Sequence, residues 1–444
     1  MKKYFCIAVM LGFCSVSNGQ FINKLKDKIK TKTTQKADAK VDKKIDGTLD
    51  NVLDGNVHFP KKSKENKASE DNNETPSIDN IPSLPFFEIN NQKIAYKSKF
   101  DFVPGDKTIL WEDFSEDAIG DFPVNWNTNG SGEVVTIDEL DGNWLMMQEN
   151  SNFALNELLS LSENFTIQFD VMITVPFEWS SNSLNFGISD VKNPGTFINS
   201  SHHSLGDNNN AVFWLTMHPG AQESNSKGYG NYLMNINSAS NLVAEKIELP
   251  DFLDVKEKLP LKISIWKQKQ RIRVYMNENK IVDLPRILPA EMNINALIWK
   301  TEGYQGDNKY FISNLRVSEG DPDTRNKLLT EGKLVSNGIL FNVNSNIIKP
   351  ESYGVLKEIA EVLKKNKDIN VTIVGHTDSD GDDSQNQELS LKRANAVKNA
   401  LSADFNIDNS RMETDGKGET EPLLPNLNAV DKANNRRVEF IVIH

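Results

Sequence analysis

Cysteine and long hydrophobic runs are both scarce in this chain. The two cysteines, Cys6 and Cys14, lie among the first 20 of 444 residues. The apolar stretch from Phe5 to Val16 spans twelve residues, whereas a membrane-spanning helix needs about 20. Because lysines precede this stretch and small residues follow it, residues 1–20 are predicted to be a secretory signal peptide. Its removal would leave no thiol, which excludes disulfides, thiolate catalysis and cysteine metal sites.

Clustered positive charge is also lacking in most of the chain. The formal net charge is −12, which argues against nucleic acid as a partner because phosphates favour clustered Lys and Arg. Residues 21–67 are the exception, with thirteen lysines against seven acidic residues. Residues 21–60 are predicted to form a basic, weakly amphipathic helical leader. This leader would rest on an anionic membrane, pair with another copy or serve as a solvated spacer. The polar residues 61–85 predict a disordered linker.

Residues 86–320 carry the pattern of an all-β region. Apolar and polar residues alternate from Phe165 to Val175, which predicts a strand with one buried face. A second alternating pair of segments, between Leu261 and Ile281, predicts a hairpin. Many short strands without a long helix predict a jelly-roll-like sandwich. With Trp111 near its entry and a closing strand at its end, the region resembles a concanavalin-A-like or laminin-G-like domain, which implies a glycan or protein partner.

The tryptophans and acidic residues of this region raise the question of sugar binding or hydrolysis. We expect the tryptophans to be core residues rather than a sugar-stacking platform, because aromatic side chains bury large areas. The paired-carboxylate strand motif of laminarinase-like enzymes is absent, and so are nucleotide-binding and zinc-protease motifs. No catalytic residue, metal or cofactor is therefore predicted. The tryptophans concerned are Trp179, Trp214, Trp266 and Trp299.

Residues 325–444 alternate between strand and helix patterns. Pro350 is placed to start a helix, and Ser384 with Gln387 fits a capping box at the start of a second helix. The alternation predicts a compact α/β sandwich of βαβ units. The predicted elements are a strand at Gly338–Phe341, a helix at Glu351–Lys365, a strand at Ile369–Ile373, a helix from Ser384 to about Ala403 and a strand at Val438–Val442.

Three separated motifs mark this last region. Gly375-His376-Thr377-Asp378 stands at a predicted strand end, Arg393 follows on the next helix, and Asn435-Arg436-Arg437 precedes the last strand. A carboxylate accepts hydrogen bonds from an ammonium, and a guanidinium grips a carboxylate with two parallel N–H bonds. Asp378 and Arg393 together therefore suit an amino-acid-like group that carries both charges.

These motifs, in this order and spacing, resemble the OmpA-like peptidoglycan-binding domain. The resemblance implies that Asp378 and Arg393 bind the diaminopimelate of a stem peptide. It further implies supporting hydrogen bonds from Thr377, Asn386, Asn344 and Arg436. One residue departs from the family pattern, since Asn342 stands where an Asp is expected after Phe341.

The sequence as a whole predicts a non-enzymatic envelope protein at the outer membrane or in the periplasm. Its C-terminal domain would bind peptidoglycan, while the sandwich meets a glycan, a protein or an outer-membrane component. One alternative is an envelope glycan-binding or glycan-hydrolysing enzyme that its C-terminal domain merely localises. Another is a relative of ion-motor stators, which would need residues 1–20 to remain as a membrane helix.

Overall fold

A computed structural model describes residues 86–89, 92–95, 100–191, 211–221, 227–236, 240–243, 246–252, 260–303, 308–320 and 324–443. The predicted signal peptide, leader and linker lie outside these residues. Residues Ile81–His444 form one compact unit. Within the residues described, no helix has the length and apolar character needed to cross a membrane.

Strands dominate the described chain up to about residue 320, and four helices follow. The strands are β1 (Phe86–Ile89), β2 (Gln92–Ala95), β3 (Lys107–Glu112), β4 (Trp126–Thr128), β5 (Gly132–Thr136), β6 (Asn143–Met147), β7 (Asn152–Leu155), β8 (Asn164–Ile173), β9 (Leu184–Ser189), β10 (Ala211–His218), β11 (Gly228–Ile236), β12 (Ser240–Val243), β13 (Ile247–Leu249), β14 (Leu261–Gln268), β15 (Arg271–Met276), β16 (Asn279–Leu284), β17 (Ala296–Thr301), β18 (Tyr310–Glu319), β19 (Lys333–Ser336), β20 (Asn370–Gly375), β21 (Met412–Gly416) and β22 (Val438–Ile443). The helices of the described residues are α1 (Thr324–Thr330), α2 (Tyr353–Lys365), α3 (Asp383–Phe405) and α4 (Ala429–Asn435).

The described strands before β19 form two large antiparallel sheets and a separate hairpin of β1 and β2. The first sheet has the order β16-β15-β14-β8-β18-β6-β5, and β3 also pairs with β18. The second has the order β12-β11-β10-β9-β17-β7-β4, and β13 also pairs with β11. Phe169 of the first sheet contacts Phe186 and Trp299 of the second, with ring centroids 4.9 and 5.4 Å apart. The two sheets therefore pack face to face around a common apolar core.

The strand predicted around Phe165 differs from expectation in one respect. Its alternation is correct, since Phe165, Ile167 and Phe169 are buried in the core between the sheets. The polar residues of the opposite face, among them Gln168 and Asp170, are buried too. The prediction of a single buried face is therefore wrong, because the C-terminal region covers the outer face of the first sheet.

The tryptophan prediction is confirmed at three of four positions. Trp214, Trp266 and Trp299 are buried, but Trp179 is 70% exposed. Trp266 does not face the space between the two sheets. It packs on Phe102, with ring centroids 6.1 Å apart, in a second core that belongs mainly to the C-terminal region. Buried area alone could not distinguish these two cores in the sequence.

The C-terminal region is built on a four-stranded sheet of order β19-β22-β20-β21. β20 and β21 are parallel, and α3 lies between them in the chain, so that the three elements form a βαβ unit. β19, α2 and β20 form a second βαβ unit, whose two strands are not neighbours. β22 lies between them and is antiparallel to both. The apolar stripe of α2 packs on this sheet through Leu356, Ile359 and Leu363.

The predicted strand at Gly338–Phe341 is wrong, since the strand of this segment is β19. Phe341 forms only an isolated bridge with Ile348. Leu340 instead receives a hydrogen bond on its carbonyl from the Lys349 N–H (2.8 Å) and donates its own N–H to Ser352 Oγ (2.8 Å). These bonds satisfy the backbone groups that a ladder would otherwise pair.

Candidate functional site

The loop after Phe341 forms one wall of the site. Ser345 N–H donates to the Asn342 carbonyl at 3.1 Å, which closes a tight turn. Asn344 adopts a left-handed backbone conformation (φ 50°) within it and is exposed. Asparagine tolerates this conformation better than most residues do, which gives a local reason for its presence here.

Asp378 follows the end of β20, where its carboxylate is held between two partners. Its Oδ1 accepts the Asp380 backbone N–H at 3.2 Å, and its Oδ2 accepts a hydrogen bond from Arg436 Nη1. The Asp378 side chain is only 10% exposed. Thr377, beside it, donates its N–H to the Gly418 carbonyl at 2.9 Å, while its buried Oγ1 has no protein partner in the described residues.

Helix α3 begins at Asp383, one residue before the predicted start, and its N-cap lies two residues before the Ser384 of the predicted capping box. Asp382 is the N-cap residue, and its carboxylate accepts the N–H groups of Ser384 and Gln385. An aspartate at this position satisfies two helix donors that otherwise lack partners. Asn386, buried in the first turn, donates to Glu419 Oε2 at 2.7 Å and to the Asp380 carbonyl at 3.0 Å. Asn386 thus stabilises the loop that carries Asp378.

Arg393 lies on α3, facing the loop after Phe341. Its Nε donates to the Ser345 carbonyl at 3.0 Å, and its guanidinium lies over the Phe341 ring at 5.0 Å. The pKa of Arg393 is lowered to about 10, mainly by burial and also by the charge of Arg436, while the charge of Asp378 opposes both effects. At neutral pH the guanidinium is therefore charged. The ion pairs of the described residues include none between Arg393 and a carboxylate.

Arg436 connects the C-terminal region to the sandwich. Besides its ion pair with Asp378, its guanidinium lies over the ring of Trp111 at 5.1 Å. The indole N–H of Trp111 donates to Asp113 Oδ2 at 2.9 Å, which fixes the ring. Trp111 lies near the end of β3, far from Arg436 in the sequence. No sequence signal associates these two residues.

A buried charge network lies on β22, the strand that follows Arg436. Glu439 forms ion pairs with Arg437 and Lys333, both at 2.8 Å. Burial alone would raise the pKa of Glu439, but the contacts with Lys333 and Arg437 lower it strongly instead. The His376 imidazole lies 3.6 Å from the same carboxylate. This network fixes the backbone on either side of the site.

All six predicted site residues line one cleft of about 910 Å³. Its other wall comes from the sandwich, including Trp111 and Arg316. Within the residues described, no group of three or more His, Cys, Asp or Glu side chains is placed to hold a metal ion. The six are Asn344, Thr377, Asp378, Asn386, Arg393 and Arg436.

Comparisons with known proteins agree on the region around this cleft. The family model described as "OmpA family" matches residues 340–436. Outer membrane porin F of Pseudomonas aeruginosa is 38% identical over 101 residues, which cover 23% of this chain and 29% of that protein. The putative lipoprotein YfiB of Escherichia coli K12 is 37% identical over 108 residues, which cover 24% of this chain and 68% of that protein.

Two solved structures match about a quarter of the chain. The cell wall anchor of the type VI secretion system from Pseudomonas aeruginosa is 32% identical, with 25% of this chain and 80% of that chain covered and a TM-score of 0.23. The peptidoglycan-associated lipoprotein from Burkholderia pseudomallei is 28% identical, with coverages of 24% and 88% and the same TM-score, 0.23.

The curated relatives are mostly longer than the part that matches. The chain spans 29%, 32% and 31% of the lengths of the porin F proteins of two Pseudomonas species and of Omp38 of Acinetobacter baumannii. YfiB is matched over two thirds of its length, and the family model covers the motifs around Asp378 and Arg393. Through this C-terminal region, the chain belongs to the OmpA family.

Proposed function

We propose that this protein is a non-enzymatic anchor of the bacterial envelope, which binds peptidoglycan non-covalently through diaminopimelate. The observation that carries the proposal is the position of Arg393. Its guanidinium is charged, lines the cleft and has no carboxylate partner among the described residues, while Asp378 lines the same cleft. A ligand that carries an ammonium and a carboxylate on one carbon complements both groups.

The free atoms of Arg393 suit a carboxylate. Its Nε is used by the Ser345 carbonyl, so the two terminal nitrogens remain to form parallel hydrogen bonds with one carboxylate. Asp378 would accept from the ammonium while it keeps its contact with Arg436. Thr377 Oγ1, buried and without a partner in the described chain, offers one further hydrogen bond. Asn344 and Asn386 would position the loops on either side.

The location and domain organisation are part of the proposal. The names of the relatives include an outer membrane porin and a lipoprotein, which supports a place at the outer membrane or in the periplasm. We propose a signal peptide at 1–20, a leader at 21–60, a linker at 61–85, a sandwich domain at 86–320 and an OmpA-like domain at 325–444. The sandwich, of concanavalin-A-like or laminin-G-like type, would bind a glycan or a protein.

The acidic residues at the edge of the cleft do not resemble a hydrolytic pair. Burial raises the pKa of Glu112, while hydrogen bonds from Ser115 and Trp111 lower the pKa of Asp113 against the effect of burial. Glycosidases do use two carboxyl groups with divergent pKa values. Glu112, however, accepts the Phe114 N–H at 3.0 Å and does not line the cleft, whereas Asp113 does.

Sedimentation of the full chain with purified sacculi tests the anchor. The wild type should sediment with sacculi that contain diaminopimelate and remain in solution with sacculi that contain lysine at that position. Asp378→Asn and Arg393→Lys should each weaken binding about tenfold or more, because a charge-assisted or bidentate contact is lost.

Two exposed neighbours provide matched controls. Lys392→Ala removes a cation next to Arg393 on α3, and Asp383→Asn removes an acid at the start of the same helix. Both side chains are exposed, so both variants should sediment like the wild type. Equal sedimentation of the wild type, Asp378→Asn and Arg393→Lys would remove the proposal. Release of reducing sugars by the full chain would favour the glycan hydrolase instead.

A further inference from the structure

The cleft continues beyond the predicted residues, onto the outer face of the first sheet. Gln168 and Asp170 of β8, Lys262 of β14, and Asn314 and Arg316 of β18 line it together with the family residues. The C-terminal region covers this face, so that these polar side chains are shielded from bulk water. They form the half of the cleft that the OmpA-family match, residues 340–436, does not include.

An irregularity in β18 forms this part of the wall. The register between β18 and β8 shifts between Ser313 and Arg316, where two residues of β18 stand against one of β8. Asn314, inside the shift, has a left-handed conformation (φ 51°). Such bulges change the direction of side chains, and they are frequent beside binding sites. Here the bulge separates the residues that pair with β6 from those that pair with β3.

Arg316 is a buried cation whose partners are all neutral. The residue is 5% exposed. Its Nε donates to Thr108 Oγ1 and Ser318 Oγ, both at 3.1 Å, and its Nη1 donates to the Asn337 carbonyl at 3.0 Å. Its Nη2 has no partner in the described part of the chain. Burial lowers the pKa of Arg316 to about 10, and the positive charge of Arg436 adds to this effect.

The neighbouring charges do not compensate Arg316. Asp170, an acid of the same face, forms an ion pair with Lys262 at 2.6 Å and accepts a further hydrogen bond from Asn314 at 2.8 Å. The ion pairs found in the described ranges include none that involves Arg316. A buried charge without a counter-charge costs several kcal/mol, which an anion in the cleft would offset.

Other buried polar atoms without partners lie along the same cleft. Among the described residues they include Trp144 Nε1 and Thr377 Oγ1, both able to donate to an anion, and Asn337 Oδ1. Buried polar groups in folded proteins are nearly always hydrogen-bonded to protein, water or ligand. Their concentration along one cleft, next to Arg316, is therefore what a polar ligand site would produce.

We propose that Arg316 forms a second carboxylate subsite, so that the cleft binds a peptide with two carboxylates rather than diaminopimelate alone. Arg316, Arg393 and Arg436 all line this one cleft. The fitting ligand class is a γ-glutamyl-diaminopimelate peptide, whose glutamyl residue is linked through its side chain and keeps its α-carboxylate free. The inference rests on the proposed function and extends it to the neighbouring residue of the stem peptide.

Calorimetric titration of the full chain with three probes tests this subsite. The probes are meso-diaminopimelate, γ-D-glutamyl-meso-diaminopimelate and the D-isoglutaminyl analogue, in which an amide replaces the α-carboxylate. The acid dipeptide should bind the wild type about tenfold or more tightly than the amide dipeptide, since one charge-assisted contact is worth that much. Arg316→Gln should remove the preference and leave the affinity for meso-diaminopimelate within about twofold.

Two further variants keep the test decisive. Arg316→Lys retains a charge in the same buried position and should keep part of the preference. Arg273→Gln changes an arginine of the same sheet that lies over Trp266 at 4.4 Å, outside the cleft, and should keep all of it. If Arg316→Gln fails to fold, Arg316→Lys decides whether the preference depends on this side chain, because an undiminished preference for the acid dipeptide in that variant overturns the subsite.

The outcomes separate the two proposals. Binding of meso-diaminopimelate with equal affinity for the acid and amide dipeptides overturns the second subsite and leaves the anchor intact. If Arg316→Gln still prefers the acid dipeptide, another cation binds the α-carboxylate, and the second subsite at Arg316 is overturned as well. Failure of all three probes to bind overturns the proposed function itself.

Discussion

Two apolar cores among the described residues, that of the sandwich and that of the C-terminal region, are built differently. The core of the sandwich consists of residues between Phe114 and Val317, so it is completed by the two sheets themselves. The second core joins the four-stranded sheet and its helices to residues from outside the C-terminal region. Phe100 and Phe102 come from the segment before β3, and Trp266 and Tyr275 come from the outer face of the first sheet.

The C-terminal domain therefore depends on residues outside it to bury part of its apolar surface. Phe102 packs edge-on against Tyr275, with centroids 5.5 Å apart, and its backbone lies against α2 at Gly354. The same arrangement forms the second wall of the cleft, because it holds the C-terminal region on the first sheet. The full chain is accordingly the right object for binding experiments, rather than residues 325–444 alone.

The largest effect is expected from Phe102→Ala. The ring is fully buried between the outer face of the first sheet and the C-terminal region, so its loss should lower the free energy of unfolding by about 3–5 kcal/mol. Urea denaturation of the full chain measures this change. Val124→Ala, at a position 79% exposed, should change it by less than about 0.5 kcal/mol. A cost below about 1 kcal/mol for Phe102→Ala would mean that the second core is as self-contained as the first.

Gly354→Ala should have the next largest effect. A Cβ at this position would lie 2.1 Å from the Phe102 carbonyl oxygen, so either α2 or the segment before β3 must move. We expect a destabilisation of about 1–3 kcal/mol, in spite of the better helix propensity of alanine. Glu361→Ala, at an exposed position of the same helix, is the control. A stabilising Gly354→Ala would show that this contact is not a close one in solution.

Asn434→Ala tests the polar part of the same contact. The Asn434 side chain accepts the Thr108 N–H at 3.0 Å and donates to the Thr108 carbonyl at 2.8 Å, as a neighbouring strand would do at the edge strand β3. Its loss should cost about 1–2 kcal/mol. Asn399→Ala, on an exposed position of α3, should cost much less. Equal costs for both variants would exclude a role of this pair in joining the two regions.

The smallest expected effect is a change of stability with pH that comes from one carboxyl group of α3. Burial raises the pKa of Asp404, on α3, from 3.8 to about 6. The folded chain thus binds this proton more tightly than the unfolded chain, and stability falls as the pH rises from about 4 to about 6. Asp404→Asn should gain less than about 1 kcal/mol at pH 7, because the carboxyl is partly solvated, and nothing below about pH 4. Asp368→Asn is the exposed control, and an equal gain at both pH values would contradict the assignment.

The sequence was sufficient to predict those strands and helices whose apolar residues recur with a regular period. The alternation around Phe165 and the apolar stripe of α2 identified a strand and a helix, because local geometry determines which side chains share a face. The motifs around Asp378 and Arg393 identified one wall of the cleft. The start of α3 was missed by one residue, because Asp382 and Ser384 are both good N-cap residues and only the loop geometry distinguishes them.

The other wall of the cleft could not be predicted. Arg316 stands in a strand pattern that reads as ordinary alternation, and its burial arises only because the C-terminal region covers that face. Trp111 lies more than 300 positions before Arg436, the residue on which it stacks. Such contacts depend on how two separately folded patterns pack, and short-range sequence periodicity carries no information about that packing.

Release of the full chain from sacculi by free ligands tests the central claim most directly. Protein bound to sacculi of the diaminopimelate type would be titrated with meso-diaminopimelate and, separately, with 1,5-diaminopentane, which keeps the two ammonium groups but has no carboxylate. Meso-diaminopimelate should release the protein at a concentration about tenfold or more below that of 1,5-diaminopentane, because only the former offers a carboxylate to Arg393. Release by both compounds at the same concentration, or by neither, would contradict the claim that Asp378 and Arg393 bind diaminopimelate.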